Sequence, residues 1–249
     1  MYAFFLDIDG TVLLGKTMSP AVIEAITRAR TLGHKVFINT SRAYIGMPEE
    51  FYTFPFDGYV NSFGLEILAD GRWIHRHFLP DEHVRKIAED AFAQGRPVYF
   101  EGEVRVDIHR DGFGFQPQSV DELFDMMGDQ KVCKFVLCGS PSDEERAKWN
   151  GEYDFFGGEG VAKGHNKAYG IAVLEKLFNI PHEHTVAIGD TFLDADMVAY
   201  AGIGIAMGNS TPDLIACADY MTAPLAQDGV AVAINAVLDG DLGAMKKLK

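Results

Sequence analysis

Asp7-Ile8-Asp9-Gly10-Thr11 closes the apolar run Ala3-Phe4-Phe5-Leu6, and this junction decides the fold. The run is short, bounded and rich in aromatics, which predicts a buried strand. Open α/β sheets place their chemistry outside the carboxyl ends of their strands, and here two aspartates stand two residues apart at such an end. Like charges this close raise each other's pKa, so an ionised pair asks for a cation, and hard oxygen ligands point to Mg²⁺. Taken alone, the same letters also describe a strand running into an Asp-Gly turn. What separates the two readings is what the rest of the chain supplies.

Ser19 is placed to cap a helix, Pro20 fits its first position and Gly33 its end. Val22, Ile23, Ile26, Ala29 and Leu32 give that helix an apolar face. Strands are predicted at 35–39 and 58–61, so strand and helix alternate as in right-handed parallel βα units. The last third returns to the same style, with a helix over 167–178, strands over 185–189 and 203–206, and a short helix over 197–201. Between them the pattern changes. Residues 81–94, 120–127 and 143–150 read as helices, and 97–100, 104–109, 132–138 and 152–156 as strands, with a hairpin at Glu101-Gly102. The fold class is therefore α/β: a discontinuous parallel-sheet core over 1–80 and 160–249, carrying an inserted α+β domain over 81–159. Leu79-Pro80 and Gly157-Gly158 are the expected crossing points.

A chain of 249 residues, 47% hydrophobic and 23% charged, reads as an ordinary globular protein. With 36 acidic against 22 basic residues its formal charge is −14, which argues against nucleic acid as a partner. A phosphorylated small molecule stays open, provided that a metal and a few cations are focused locally. No apolar run is long enough to span a bilayer and no secretory leader is read, so a cytoplasmic place and no membrane partner are expected. Cys133 and Cys138 fall on opposite faces of one strand and, with Cys217, are expected to be free thiols.

Asp7-Ile8-Asp9-Gly10-Thr11, Thr40 after the second strand, Lys167 opening a helix, and Gly189-Asp190-Thr191-Phe192-Leu193-Asp194 form a series. In order and spacing it resembles the four motifs of the haloacid dehalogenase superfamily. The insertion between the second and third motifs resembles that superfamily's C2 type of cap. Ala206-Met207-Gly208-Asn209 and Asp228-Gly229-Val230 resemble the tail of its Cof-like phosphatase branch. The resemblance spans the core nearly end to end. It implies a Rossmann-like core and Mg²⁺-dependent hydrolysis of small phosphate monoesters, sugar phosphates first and phosphorylated cofactors next.

The residue types suit that chemistry. Asp7 is the expected nucleophile, forming an aspartyl-phosphate, and Asp9 the acid that protonates the leaving alkoxide and then activates water. Asp7, the backbone carbonyl of Asp9, and Asp190 are expected to hold Mg²⁺. Asp194 either reaches the ion or holds a metal-bound water or Lys167; the second place is favoured because Mg²⁺ keeps several waters. Thr40 and the N–H groups after it, Ser41 among them, are expected to bind phosphate, although a threonine there is also an ordinary turn residue. Arg42 contacts the phosphate or leaving group, or makes a plain ion pair. Lys167, at the start of its helix, is preferred to Lys163 as the cation of the site. Asn209 is either a phosphate contact or a turn residue. Leu193 stands where Cof-like members usually carry Asn, so one hydrogen bond near the metal is expected to be missing. In the inserted domain Glu101, Arg105, Asp107, His109 and Arg110 are the candidate substrate contacts, and the histidines are expected to be solvated. A phosphomannomutase-like phosphotransferase and a non-catalytic phosphometabolite-binding protein are the alternatives.

Overall fold

The computed structural model describes residues 1–15, 17–149 and 151–249. Asn150, the expected last residue of the helix 143–150, lies outside the described residues. Among them nine strands form one sheet, in the spatial order Lys246–Lys247, Tyr220–Met221, Ile203–Ala206, Thr185–Gly189, Ala3–Leu6, Lys35–Asn39, Gly58–Asn61, Glu66–Ala69 and Arg72–Arg76. The strands from Tyr220–Met221 to Gly58–Asn61 run parallel, and antiparallel strands close both edges.

Every residue of the central strand Ala3–Leu6 is buried. Alternation sends Phe4 and Leu6 to one face and Ala3 and Phe5 to the other, and each face has its own apolar layer. The first layer comes from Val22, Ala25 and Ile26 of the helix Pro20–Thr31 and from Val230 and Ile234 of the helix Gly229–Asp239. The second comes from Ile171 and Leu174 of the helix Lys167–Phe178, with Met197 and Val198 of the helix Ala195–Tyr200. A strand covered on both faces reads as a continuous apolar run, which is why the sequence marks it so clearly. Burial of each phenylalanine contributes about 2–3 kcal/mol. Ser19 caps the first helix as expected, its Oγ accepting from the Val22 N–H at 3.2 Å.

The insertion forms a separate antiparallel sheet in the order Tyr153–Phe156, Glu159–Ala162, Val132–Leu137, Val98–Gly102, Arg105–Ile108. The helices Asp81–Gln94, Val120–Met127 and Asp143–Trp149 back it around a core that includes Phe100, Leu123 and Phe135. One expectation is corrected here. Gly157-Gly158 is not a crossing point but the turn between Tyr153–Phe156 and Glu159–Ala162, with Gly157 at φ +64°. The chain therefore leaves the second sheet after Ala162 rather than at residue 159. A glycine pair signals positive φ, and a hairpin uses that as readily as a linker does. Cys133, Cys138 and Cys217 are free.

In the large sheet the chain runs from the central strand to Lys35–Asn39 on one side, and Thr185–Gly189 is inserted on the other. The carboxyl ends of these three parallel strands lead into Asp7, Thr40 and Asp190. This point of reversed strand order is where open α/β sheets form their crevice.

Candidate active site

Asp7 follows the central strand directly, and its N–H donates to the Ile188 carbonyl of the adjacent strand at 3.0 Å. The turn after it passes against Asp190. Gly10 has φ +79°, and a Cβ there would lie 2.2 Å from Asp190 Oδ2, so glycine alone permits the approach. Thr11 Oγ1 donates to Asp190 Oδ1 at 3.1 Å. Carboxylate oxygens of Asp7, Asp190 and Asp194 all lie within 4.8 Å of one another, and all three residues are buried. Lys167 opens its helix, where the Asn166 side chain caps the Tyr169 N–H at 2.8 Å. Its ammonium, 2% exposed, donates to Asp7 Oδ1 at 2.7 Å and to Asp194 Oδ1. Asp194 Oδ2 accepts from the N–H groups of Asp190 and Thr191, each at 3.0 Å.

Burial raises the Asp7 carboxyl and the Asp194 charge adds to it; against the opposition of Lys167, Asp7 is pushed up to about 7. Burial and then Asp194 push Asp190 up to about 6. Burial pulls Lys167 down, but Asp194 and Asp7 outweigh it and leave the ammonium above lysine's ordinary value. One ammonium thus faces three carboxylates, and the surplus negative charge is what a cation would relieve. The donors fit a hard divalent ion: Asp7 and Asp190 present oxygens to a common point, while both oxygens of Asp194 are already engaged.

The other expected residues divide. Asp9, exposed, is held by Arg42 in a two-point ion pair, Nε to Oδ2 and Nη2 to Oδ1, both at 2.7 Å. Arg42 Nη1 also donates to the Gly46 carbonyl at 2.9 Å. Of the options open for Arg42, the ion pair is the one present, and its partner is Asp9. Thr40 is 1% exposed and its Oγ1 accepts from the Arg42 N–H at 3.2 Å. Lys163 is exposed. Asn209 is engaged with backbone at both ends of its amide, Nδ2 donating to the Gly10 carbonyl at 2.9 Å and Oδ1 accepting from the Leu225 N–H at 2.8 Å. It braces the Gly10 turn, so of the two options open for it the turn residue is the one present, and not a phosphate contact in this arrangement.

A family model described as haloacid dehalogenase-like hydrolase matches residues 4–149 and 153–234. The chain is a haloacid dehalogenase-like hydrolase. The "Putative phosphatase YkrA" of Bacillus subtilis (strain 168) is 30% identical over 261 residues, covering 97% of this chain and 98% of that one. The 5-amino-6-(5-phospho-D-ribitylamino)uracil phosphatase YitU of the same organism is 25% identical, covering 92% and 95%. Among solved structures, the HAD subclass IIB sugar phosphatase BT4131 aligns with a TM-score of 0.79 at 26% identity, over 97% of this chain and 100% of that one. The Cof-like resemblance seen in the motifs is borne out at the level of the family.

Leu193, the departure from the Cof-like pattern, has a packing role in this hydrolase. It lies half-buried against the core of the second sheet. Leu193→Asn is expected to cost about 1 kcal/mol of stability and to leave the divalent-ion concentration for half-maximal activity unchanged. Denaturant titration and a divalent-ion titration check the two parts; a markedly lower ion requirement would show that the missing amide matters to the ion.

Sequence reasoning missed two features of the hydrolase. His75, His77 and His165 form a half-buried cluster, with His75 Nε2 and His165 Nε2 3.0 Å apart, where solvated histidines were expected. Lys134 is 2% exposed and reaches the Ser41 carbonyl at 2.7 Å. Its signal was a lysine inside the otherwise apolar run Val132–Leu137, since a buried charge has to be paired. Of the contacts expected from the insertion, Arg105 pairs with Glu101 at 2.5 Å and with the buried Asp107 at 3.1 Å. His109 instead packs edge-on against Phe92, and Arg110 lies 3.5 Å from Asp107.

Proposed function

We propose that this hydrolase is a Mg²⁺-dependent phosphatase of small phosphate monoesters, sugar phosphates first, working through an aspartyl-phosphate on Asp7. The observation that carries the proposal is the buried cluster in which Lys167 meets Asp7 and Asp194 while Asp190 stands opposite. Asp7, Asp190 and the Asp9 carbonyl would hold the ion, with Asp194 holding Lys167 behind them. When bound, Mg²⁺ would supply charge neutralisation for the carboxylates and the phosphate.

Asp7 attacks phosphorus, and the ester oxygen leaves with a proton from Asp9. Asp9, now a carboxylate, takes a proton from water as that water attacks the acyl phosphate. Orthophosphate departs and Asp7 is regenerated. Lys167 favours the ionised Asp7 for attack and holds the same side chain oriented as the acyl phosphate, and the Thr40 hydroxyl and the Ser41 N–H bind the transferring oxygens. Arg42 has to leave Asp9 for this to happen, and an incoming phosphate is the anion that competes for it.

The second sheet and its helices, the insertion read from the sequence as 81–159 and extended to Ala162 by the strand Glu159–Ala162, serve in this proposal as the cap over the parallel-sheet core. A cavity of about 210 Å³ beside Arg42, lined also by Ser41, Glu101, Arg105, Lys134 and Glu159, suits a hydroxylated leaving group. The same reading places the protein in the cytoplasm, in keeping with its free thiols. No described helix is long and apolar enough to cross a membrane.

Release of orthophosphate from a panel of phosphorylated metabolites with Mg²⁺ tests the proposal. Transfer to a second hydroxyl instead of release would favour a phosphotransferase. Arg42→Met is expected to raise KM roughly tenfold or more, the cost of one charge-assisted contact, with a smaller effect on kcat. An unchanged KM would leave Arg42 as an ion-pair partner and nothing more.

A further inference from the structure

The turn after the strand Lys35–Asn39 has three successive carbonyls held from behind. The Phe63 N–H donates to the Thr40 carbonyl at 3.4 Å, Lys134 Nζ to that of Ser41 at 2.7 Å, and the Ser62 N–H to that of Arg42 at 2.9 Å. Asn61 Nδ2 adds a second bond to the Arg42 carbonyl at 3.2 Å. Asn61, Ser62 and Phe63 belong to the large sheet's own next strand and the turn after it. Lys134 comes from the other sheet, 93 residues away along the chain.

A planar trans peptide points its C=O and N–H in opposite directions. The peptide between Ser41 and Arg42 is therefore gripped at both ends, its oxygen by Lys134 and its N–H by Thr40 Oγ1. A hydroxyl that accepts at one side keeps its own proton to donate elsewhere. The Lys134 contact thus fixes the peptide that in turn fixes which way Thr40 donates.

Stability does not explain this lysine. It lies in an apolar strand, fully buried, with Glu159 against it and Glu101 Oε2 3.3 Å away. Burial opposes its charge, and Glu159 and Glu101 outweigh that, so it stays protonated. Replacing the whole ionic group, Lys134 together with Glu101 and Glu159, by well-packed apolar residues often leaves a protein as stable or more so, whereas removing the lysine alone strands the two carboxylates. What an apolar residue would lack is a donor for the Ser41 carbonyl.

We propose that Lys134 is a positioning residue for the reaction at Asp7: through the Ser41 carbonyl it sets the Thr40 hydroxyl, so that the phosphate-binding turn is complete only when the second sheet sits against it. The inference rests on the proposed phosphatase reaction and on Thr40 as its phosphate contact. It makes closure of the second sheet a condition for catalysis and not solely a means of enclosing substrate.

The test is a double-mutant cycle of Lys134→Met and Thr40→Val, read as hydrolysis of an aryl phosphate at saturating Mg²⁺. Each single change is expected to lower kcat roughly 10- to 100-fold. The double variant should fall little below Thr40→Val alone, and Lys134→Arg should recover most of kcat. Half-saturation by Mg²⁺ should not move, because Asp7 and Asp190 are untouched. Losses that multiply, or full kcat in Lys134→Met, would overturn the proposal. Because Lys134→Met strands two carboxylates, the cycle is repeated in a Glu101→Gln/Glu159→Gln background, where the same coupling is required. An inactive wild type would refute the phosphatase reading and this inference with it; an active wild type with independent losses refutes the inference alone.

Discussion

Asp7→Asn is expected to abolish the proposed Mg²⁺-dependent phosphate release, with kcat for an aryl phosphate falling roughly 10⁴-fold or more, because the proposed nucleophile is removed from a unit that acts together. The amide cannot attack phosphorus, and no neighbouring group replaces it: the Asp190 carboxylate accepts from Thr11, and Asp194 is bound on both oxygens. The fold should survive. In the metal-free protein the Asp7 carboxyl is pushed from 3.8 up to about 7, chiefly by burial and then by Asp194. A carboxyl raised on folding contributes stability that is fully present below its unfolded value and is lost as pH rises through its folded value. The metal-free wild type should therefore lose stability between about pH 4 and pH 7, and Asp7→Asn should lose less over that range. Thermal unfolding at both ends of the range, with and without Mg²⁺, measures this. Hydrolysis retained by Asp7→Asn would remove Asp7 from the role of nucleophile.

Lys167→Met is the second large effect, and it acts on fold and reaction together. The ammonium is buried between Asp7 and Asp194, and its loss leaves two buried carboxylates facing each other. Removing one partner of a buried ionic group costs about 3–5 kcal/mol. Without metal the variant should be markedly less stable at neutral pH, and it should recover as acid protonates the carboxylates. Mg²⁺ should recover part of the loss, since it would meet the same surplus charge. Activity should fall by roughly 10²- to 10³-fold even with Mg²⁺ saturating, the scale of one lost preorganised charge contact. Denaturant unfolding with and without Mg²⁺, beside steady-state kinetics, separates the two effects. An unchanged denaturation midpoint would mean that Lys167 does not hold the pair together.

Much of this was legible in the chain. The strand Ala3–Leu6 announces itself because both of its faces are buried, and Ser19-Pro20 marks a helix start by local rules of capping. The acidic residues at strand ends needed only the alternation of strand and helix to be brought to one edge. Asn209 was left open and Gly157 misread for a common reason. Each is a turn-type residue whose meaning depends on what it meets, and Asn209 meets Gly10 across 199 residues of chain. Leu193 read as a missing hydrogen bond near the metal because its other neighbour, the core of the second sheet, cannot be seen from the motif.

From the sequence alone came the α/β class, the family and the set of chemical groups, because burial periodicity and residue type are properties of short stretches. Only the tertiary structure decided how those groups are paired. Arg42 closes on Asp9, Lys167 bridges Asp7 and Asp194, and Lys134 crosses from the other sheet to the Ser41 carbonyl. Cations of like charge are interchangeable in a sequence, whereas a hydrogen bond is decided by tenths of an ångström and by burial. Those are set by how two sheets and their helices pack, and no single stretch of the chain contains that information.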